Sequence, residues 1–227
     1  MSDGAGAKVL GVYCERGFDP TFWAEPVNAV TNAAFIMAGA VALVRWRGDR
    51  AVELLAATTL AIGVGSFLFH TFATRWALLA DVIPIQAFIA LYFFFAMRRF
   101  FGLGPLAAIC ATGLFMAAAA TAPSLLPRDG LWRGLGGYVG GLLGLLGVGA
   151  ALLARPAPGP SDGRALMAVA ALFAMSLTFR TLDGVVCEAA PTGAHPLWHI
   201  LNAAVLFTLM AILGRRPPRI RPNPPLQ

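Results

Sequence analysis

Three histidines, one serine and one aspartate carry the reactive chemistry of this chain. His195 and His199 are four residues apart, so on a helix they project from one face. Ser66 and His70 repeat that spacing, and Asp81 follows His70 across a tight turn around Thr74 and Arg75. His70, His195 and His199 together offer three imidazole nitrogens and leave the fourth position of a tetrahedral zinc ion open, as in catalytic and not structural sites. Zinc in such a site brings the pKa of its water down to about 7. Asp81 then suits a proton acceptor that later delivers the proton to a leaving group, and the Ser66 hydroxyl suits donation to a developing oxyanion. Each residue also has an ordinary reading. A membrane histidine commonly bonds between helices, His195 beside Pro196 suits an interfacial helix start, and Ser66 can bond back to the Ile62 carbonyl. The convergence of all five favours the metal site.

The elements that must position these groups follow from composition. Of 227 residues, 58% are hydrophobic and 12% charged, with a mean hydropathy of +0.73. A soluble domain carries about 25% charged residues, so the lipid bilayer is the expected solvent and a water-soluble globular enzyme is excluded. Three cysteines rule out a disulfide-dense scaffold, and the apolar content rules out disorder. The net charge of +6 has no soluble basic face to sit on, so no nucleic-acid partner is expected. Crossing the hydrocarbon takes roughly 20 helical residues. Continuous apolar runs predict seven transmembrane helices near 27–45, 51–72, 76–97, 103–122, 134–154, 165–186 and 195–214. Without alternation they do not read as barrel strands.

The expected organisation is an N-terminal segment outside the cytoplasm over 1–25 with no removable signal peptide, a seven-helix domain over 26–214, and a flexible basic, proline-rich cytoplasmic tail over 215–227. Placing the N-terminus outside puts Arg45, Arg47, Arg50, Arg98, Arg99, Arg155, Arg164, Arg215, Arg216, Arg219 and Arg221 inside. Lys8, Arg16, Arg75, Arg128 and Arg133 remain outside, a bias that favours N-out and C-in. The reactive residues then all fall near the outer helix ends, on the periplasmic or lumenal side.

Other polar groups read less sharply. Arg180 and Asp183 are three apart in the sixth span, spaced for an intrahelical ion pair or for holding a ligand histidine in place. Glu15, Asp19, Glu25, Asn28 and Asn32 form an acidic and amide group whose hard oxygens suit calcium, or else cap and cross-link helices. Glu25-Pro26 reads as a helix start. Cys14 and Cys187 both fall on the outer, oxidising side, where they are able to form a disulfide, and Cys110 reads as a packing residue in the fourth span. Glycines at 136, 140 and 144 and at 137 and 141 suit close helix packing.

With these residues in hand, the chain resembles the alkaline ceramidase family, seven-span hydrolases of the wider CREST superfamily that includes the adiponectin receptors. The resemblance rests on Tyr13-Cys14-Glu15 through Glu25-Pro26-Val27-Asn28 to Thr31-Asn32, on Gly65-Ser66-Phe67-Leu68-Phe69-His70 with Asp81 and Pro84, on Asp183 to Cys187, and on His195-Pro196-Leu197-Trp198-His199. It implies a zinc amidase that cleaves ceramide, or a related membrane lipid amide, to sphingoid base and fatty acid. His70, His195 and His199 would hold the zinc, Asp81 would serve the water, and Ser66 would stabilise developing charge. The Cys14 to Cys187 bridge also has a family counterpart. The family's calcium site uses an Asp-Trp pair and a following Asn where this chain has Val12, Tyr13 and Gly17; Glu15 and Glu25 match it, with Asp19 as a substitute. The alternative function is a seven-span lipid-binding receptor or sensor with a structural metal. A proton-coupled transporter ranks third, since no repeat symmetry or pair of broken helices is evident.

Overall fold

The structure, a computed structural model, describes residues 4–125, 135–156 and 159–216. The regular elements among the described residues are helices: α1 (Pro26–Thr31), α2 (Ala33–Arg45), α3 (Arg50–Phe72), α4 (Arg75–Arg99), α5 (Pro105–Thr121), α6 (Gly136–Leu153), α7 (Gly159–Val186) and α8 (His195–Gly214). A short 3-10 turn, Ala122–Leu125, follows α5. Among the described residues the extended pairing is a single antiparallel bridge between Lys8 and Thr74. Arg128, Arg133 and the tail from 217 onward, with Arg219 and Arg221, lie outside the described residues.

Among the described residues six segments are long and apolar enough to cross a membrane, with α1 and α2 counting as one 20-residue segment. The shorter apolar helix is α5, with 17 residues where the sequence suggested 20. Gly102 at φ +70 ends the preceding connection, and Pro105 opens the helix because its missing N–H would be unpaired there in any case. Between α1 and α2 the ladder changes step at Asn32. Its backbone N–H bonds Ala29 O at 3.3 Å, and its side-chain amide bonds Asn28 O at 2.9 Å. The sixth apolar run starts earlier than expected, since Gly159, Pro160 and Ser161 already belong to α7.

Outward faces are apolar. Val44 is 80% exposed, Leu114 75% and Leu106 73%, values that water would penalise and hydrocarbon would not. Together with the spans, this makes the chain a multi-pass membrane protein. Cys110 belongs to this outer face of α5 and does not pack inside, contrary to its reading from sequence. Inside, glycines replace hydrophobic collapse as the means of close approach. A Cβ at Gly140 or Gly144 would strike Ala119 or Phe115 of α5, whereas Gly137 and Gly141 face α4 and α7. The two glycine rows of α6 therefore serve two different neighbours.

One end of the bundle gathers the loop before α3, the ends of α4 and α8 and the start of α7. Asp49 caps α3 through the N–H groups of Ala51 and Val52 at 3.2 and 3.3 Å and takes both guanidinium nitrogens of Arg99 at 2.5 and 2.8 Å. Arg99 also bonds Leu213 O at 3.0 Å, and Arg216 pairs with Asp162 at 2.8 Å. Burial alone would raise the Asp49 carboxyl, but the bonds from Arg99, Val52 and Ala51 outweigh it and hold its pKa below the usual range. Ionised Asp49 thus stabilises the fold above the unfolded carboxyl pKa of about 3.9, and that contribution is lost as pH falls through the lower native value. Asp49→Asn keeps a capping oxygen but removes the charge. The thermal midpoint in detergent should drop at pH 7, reflecting a stability loss of about 1–3 kcal/mol, and the gap from wild type should narrow as pH falls below about 4. Equal midpoints at pH 7 would count against the pair.

Candidate functional site

The opposite end holds the reactive residues. α8 opens at His195 with Pro196 in its first turn. The N–H groups of Ala194 and His195 both bond Asp183 Oδ1, at 2.8 and 2.9 Å, while Asp183 Oδ2 accepts from the Cys14 N–H at 3.0 Å. Gly193 turns the chain into this cap at φ +69, and a Cβ there would run into the Asp183 carboxylate. A disulfide joins Cys14 to Cys187 at the same corner. Asp183 is therefore spent on the backbone that carries His195, and the intrahelical pairing anticipated with Arg180 gives way to this role. Arg180 instead spreads its guanidinium over the rings of Tyr138, Trp198 and Tyr13 at 4.9, 5.1 and 5.7 Å and bonds the Tyr13 hydroxyl.

His70 sits in the last turn of α3. A helix end leaves four carbonyls without helical donors, and here each finds one. Phe69 O accepts from Ala73 N, His70 O and Thr71 O accept from Arg16, and Phe72 O accepts from Lys8 Nζ. Ala73 takes a left-handed conformation, φ +46, to turn the chain into α4.

The three imidazoles converge. One ring nitrogen from each of His70, His195 and His199 lies within 4.8 Å of the others, and all three side chains are buried. His70 Nδ1 donates to Glu25 Oε2 at 2.5 Å, so its Nε2 keeps a lone pair. Thr31 Oγ1, itself donating to Val27 O, accepts from His199 Nδ1 at 2.8 Å, which likewise leaves Nε2 of His199 free. His195 stacks on Tyr13 with ring centroids 3.9 Å apart and lies flat against Trp198. Neither of its ring nitrogens has a hydrogen-bond partner among the described residues, and neither does Nε2 of His70 or of His199. Buried unpaired nitrogens are costly, and three histidines aimed at one point fit a metal ion that would satisfy them.

Beside them stand Ser66 and Asp81. Pro84 supplies no N–H, so Ala80 O lacks its helical donor. Gly65, without a side chain, lets that carbonyl and the Asp81 nitrogen come close to α3. The crossing sets Ser66 against the Asp81 carboxyl, which also lies in the field of His70 and Arg180. The Ser66 hydroxyl and Asp81 Oδ1 are buried without hydrogen-bond partners among the described residues, so the back-bond from Ser66 to Ile62 is not made. An apolar cavity lined by Ile62, Ile85, Tyr138, Asn202 and Leu206 among others lies about one helical turn from Ser66 and Asp81 along α3 and α4.

The acidic group disperses over several tasks. Glu15 accepts the N–H groups of Val27 and Asn28 at 2.7 and 2.8 Å and so caps α1. Asp19 takes the Thr21 N–H at 2.8 Å, and Glu25 takes Arg16, His70 and the Asn28 amide. Asn28 and Asn32 are buried and linked through the Asn28 carbonyl. Among the described residues the three histidines are the cluster of metal-binding donors, and Glu15, Asp19 and Glu25 do not form a second. Burial pushes the Glu25 carboxyl up, but His70 and Arg16 together hold it below its ordinary range. Glu25, Thr31, Arg16 and Tyr13 were not read as neighbours of the histidines from sequence. The available signal was Thr31 one turn beyond Asn28.

The family model for Ceramidase matches residues 12–127, just over half of the chain. The chain belongs to the ceramidase family. The match takes in Cys14 to Thr31, Ser66, His70 and Asp81 and ends before α6, so the fold, and not the match, brings His195 and His199 to the same point. No curated protein matches the chain. In this ceramidase-family member, Gly65→Ala should force α3 and α4 apart. Overpacking of this kind costs about 1–3 kcal/mol, to be read as a lower thermal midpoint. An unchanged midpoint would contradict the close approach at Ala80.

Proposed function

We propose that this protein is a zinc-dependent intramembrane amidase that hydrolyses the N-acyl bond of ceramide or a closely related lipid amide. The observation that carries the reading is the set of unpartnered nitrogens on His70, His195 and His199 beside the unpartnered oxygens of Ser66 and Asp81. Three neutral imidazoles are the donor set of a catalytic zinc. When bound, the ion would supply a Lewis acid that polarises the amide carbonyl and acidifies water. The protein's own groups do the rest. Asp81 accepts a proton from the attacking water as the carbon–oxygen bond forms. Ser66 donates a hydrogen bond to the carbonyl oxygen as it gains charge. Asp81 then returns the proton to the leaving nitrogen as the carbon–nitrogen bond breaks, releasing a fatty acid and an amine. The apolar cavity below Ile62 and Ile85 suits a lipid chain.

A structural metal in a receptor would have its fourth position closed by protein. The free Ser66 and Asp81 oxygens favour turnover over that alternative. Calcium at Glu15, Asp19 and Glu25 would have to displace the backbone and Arg16 partners these carboxylates already hold, so the reading needs zinc alone.

The full topology belongs to the same proposal: seven spans including α5, N-terminus outside and C-terminus in the cytoplasm. Arg45, Arg47, Arg50, Arg98, Arg99, Arg155, Arg164, Arg215 and Arg216 sit at one end, against Lys8, Arg16 and Arg75 at the other. That bias supports a basic cytoplasmic face and an active site on the far side. Phe22, Trp23, Phe67, Phe72 and Trp76 touch one another around the site end, as side chains at a headgroup boundary do.

Purified protein should carry about one zinc per chain and release fatty acid from ceramide in mixed micelles. His70→Ala, His195→Ala and His199→Ala should each lose the metal. Asp81→Asn should keep it yet lose nearly all turnover, and Ser66→Ala should reduce kcat by about 10²–10³. Zinc-loaded wild type that cleaves no N-acyl lipid would overturn the amidase reading. An Asp81→Asn protein with full activity would overturn the assigned role.

A further inference from the structure

Arg16 lies in the loop before α1 and is 5% exposed. A guanidinium has five N–H donors in a fixed plane, and each is accounted for here. Nε bonds Glu25 Oε1 at 2.5 Å, Nη1 bonds the carbonyls of Asp19 and Thr21 at 3.0 and 2.7 Å, and Nη2 bonds those of His70 and Thr71 at 2.9 and 3.2 Å. The acceptors come from three places: the carboxylate before α1, the loop's own backbone, and the C-terminal end of α3. A positive charge against helix-end carbonyls is favourable, and burial strengthens it.

Two of these contacts meet in one residue. Arg16 holds the main chain of His70 directly, and through Glu25, whose other oxygen accepts from Nδ1, it holds the ring. One carboxylate and four carbonyl oxygens around a buried cation are also the kind of donor set a calcium ion takes; in this chain a side chain already fills it. We infer that Arg16 is a positioning residue for the histidine cluster, a built-in cation that fixes the backbone and ring of His70 together so that the cluster is set without an added divalent ion. The inference deepens the proposed function, but its geometric content does not depend on zinc.

The test uses the full chain in nanodiscs as wild type, Arg16→Ala and Arg16→Lys. In metal-free protein, modification of His70 by diethyl pyrocarbonate is followed by peptide mass spectrometry. In parallel, zinc affinity is measured by competition with a chromophoric chelator. Arg16→Ala should speed modification of His70 and weaken zinc by about 10–100-fold. Millimolar guanidinium should restore both toward wild type, while urea at the same concentration should not. Arg16→Lys should fall between, because a point charge cannot satisfy a five-donor fork. Should Arg16→Ala fail to fold, Arg16→Lys carries the same readouts. With zinc buffered, added calcium should leave wild-type activity unchanged. Wild-type modification rates and zinc affinity in Arg16→Ala would overturn the inference, as would a lowered thermal midpoint whose loss guanidinium does not repair. Wild type that binds no zinc would instead sink the hydrolase reading, and the metal-free modification rates would still decide the role of Arg16.

Discussion

Four imidazole nitrogens, one each on His70 and His199 and two on His195, are stripped of water and given no hydrogen-bond partner among the described residues. In a medium of low dielectric that is unfavourable unless something else meets those lone pairs. The surrounding structure is arranged so that one nitrogen from each ring points toward one place. On one side the Asp183 cap, Gly193 and the Cys14–Cys187 bridge fix the start of α8. On the other, Glu25, Thr31 and Arg16 fix the tautomers and the end of α3.

The two ends of the bundle solve different problems with similar means. At the basic end, Asp49, Arg99, Asp162 and Arg216 tie helix termini together with ion pairs that remain partly open to solvent. At the site end, the Arg16–Glu25 pair is buried and fully hydrogen bonded, the condition under which a desolvated pair is tolerated. Between the ends, where lipid removes any hydrophobic drive for helices to associate, Gly65, Gly140, Gly144 and Gly149 supply close packing.

The helices were legible in the sequence because continuous apolar runs of near-span length admit few other structures. The histidine cluster was legible because the chain has only three histidines and two of them share a helix face. The N-terminal loop was not legible in the same way. Glu15, Asp19 and Glu25 sit close together in sequence, which suggested either one cation site or caps and cross-links between helices, yet an irregular loop has no period that says where each carboxylate points. The structure sends them to a helix N-terminus, to a local turn and to the pair formed by Arg16 and His70. Arg16 counted only as one more charge outside the spans until its loop was seen to fold under the end of α3. Spacing left Asp183 between pairing with Arg180 and holding a ligand histidine in place, because the return of residues 187–194 toward α8 leaves no pattern that spacing can detect.

Among the described residues His195 and His199 lie on the last helix, while Cys14, Glu25 and Thr31 precede or belong to the first. Until α8 enters the bundle, the earlier segments hold one imidazole of the three, even once α7 has brought Asp183 and Cys187 to the Cys14 loop. A nascent or truncated chain therefore has no means of assembling the centre, however well its first helices insert. Entry of α8 into the bundle is the event that brings the three histidines together.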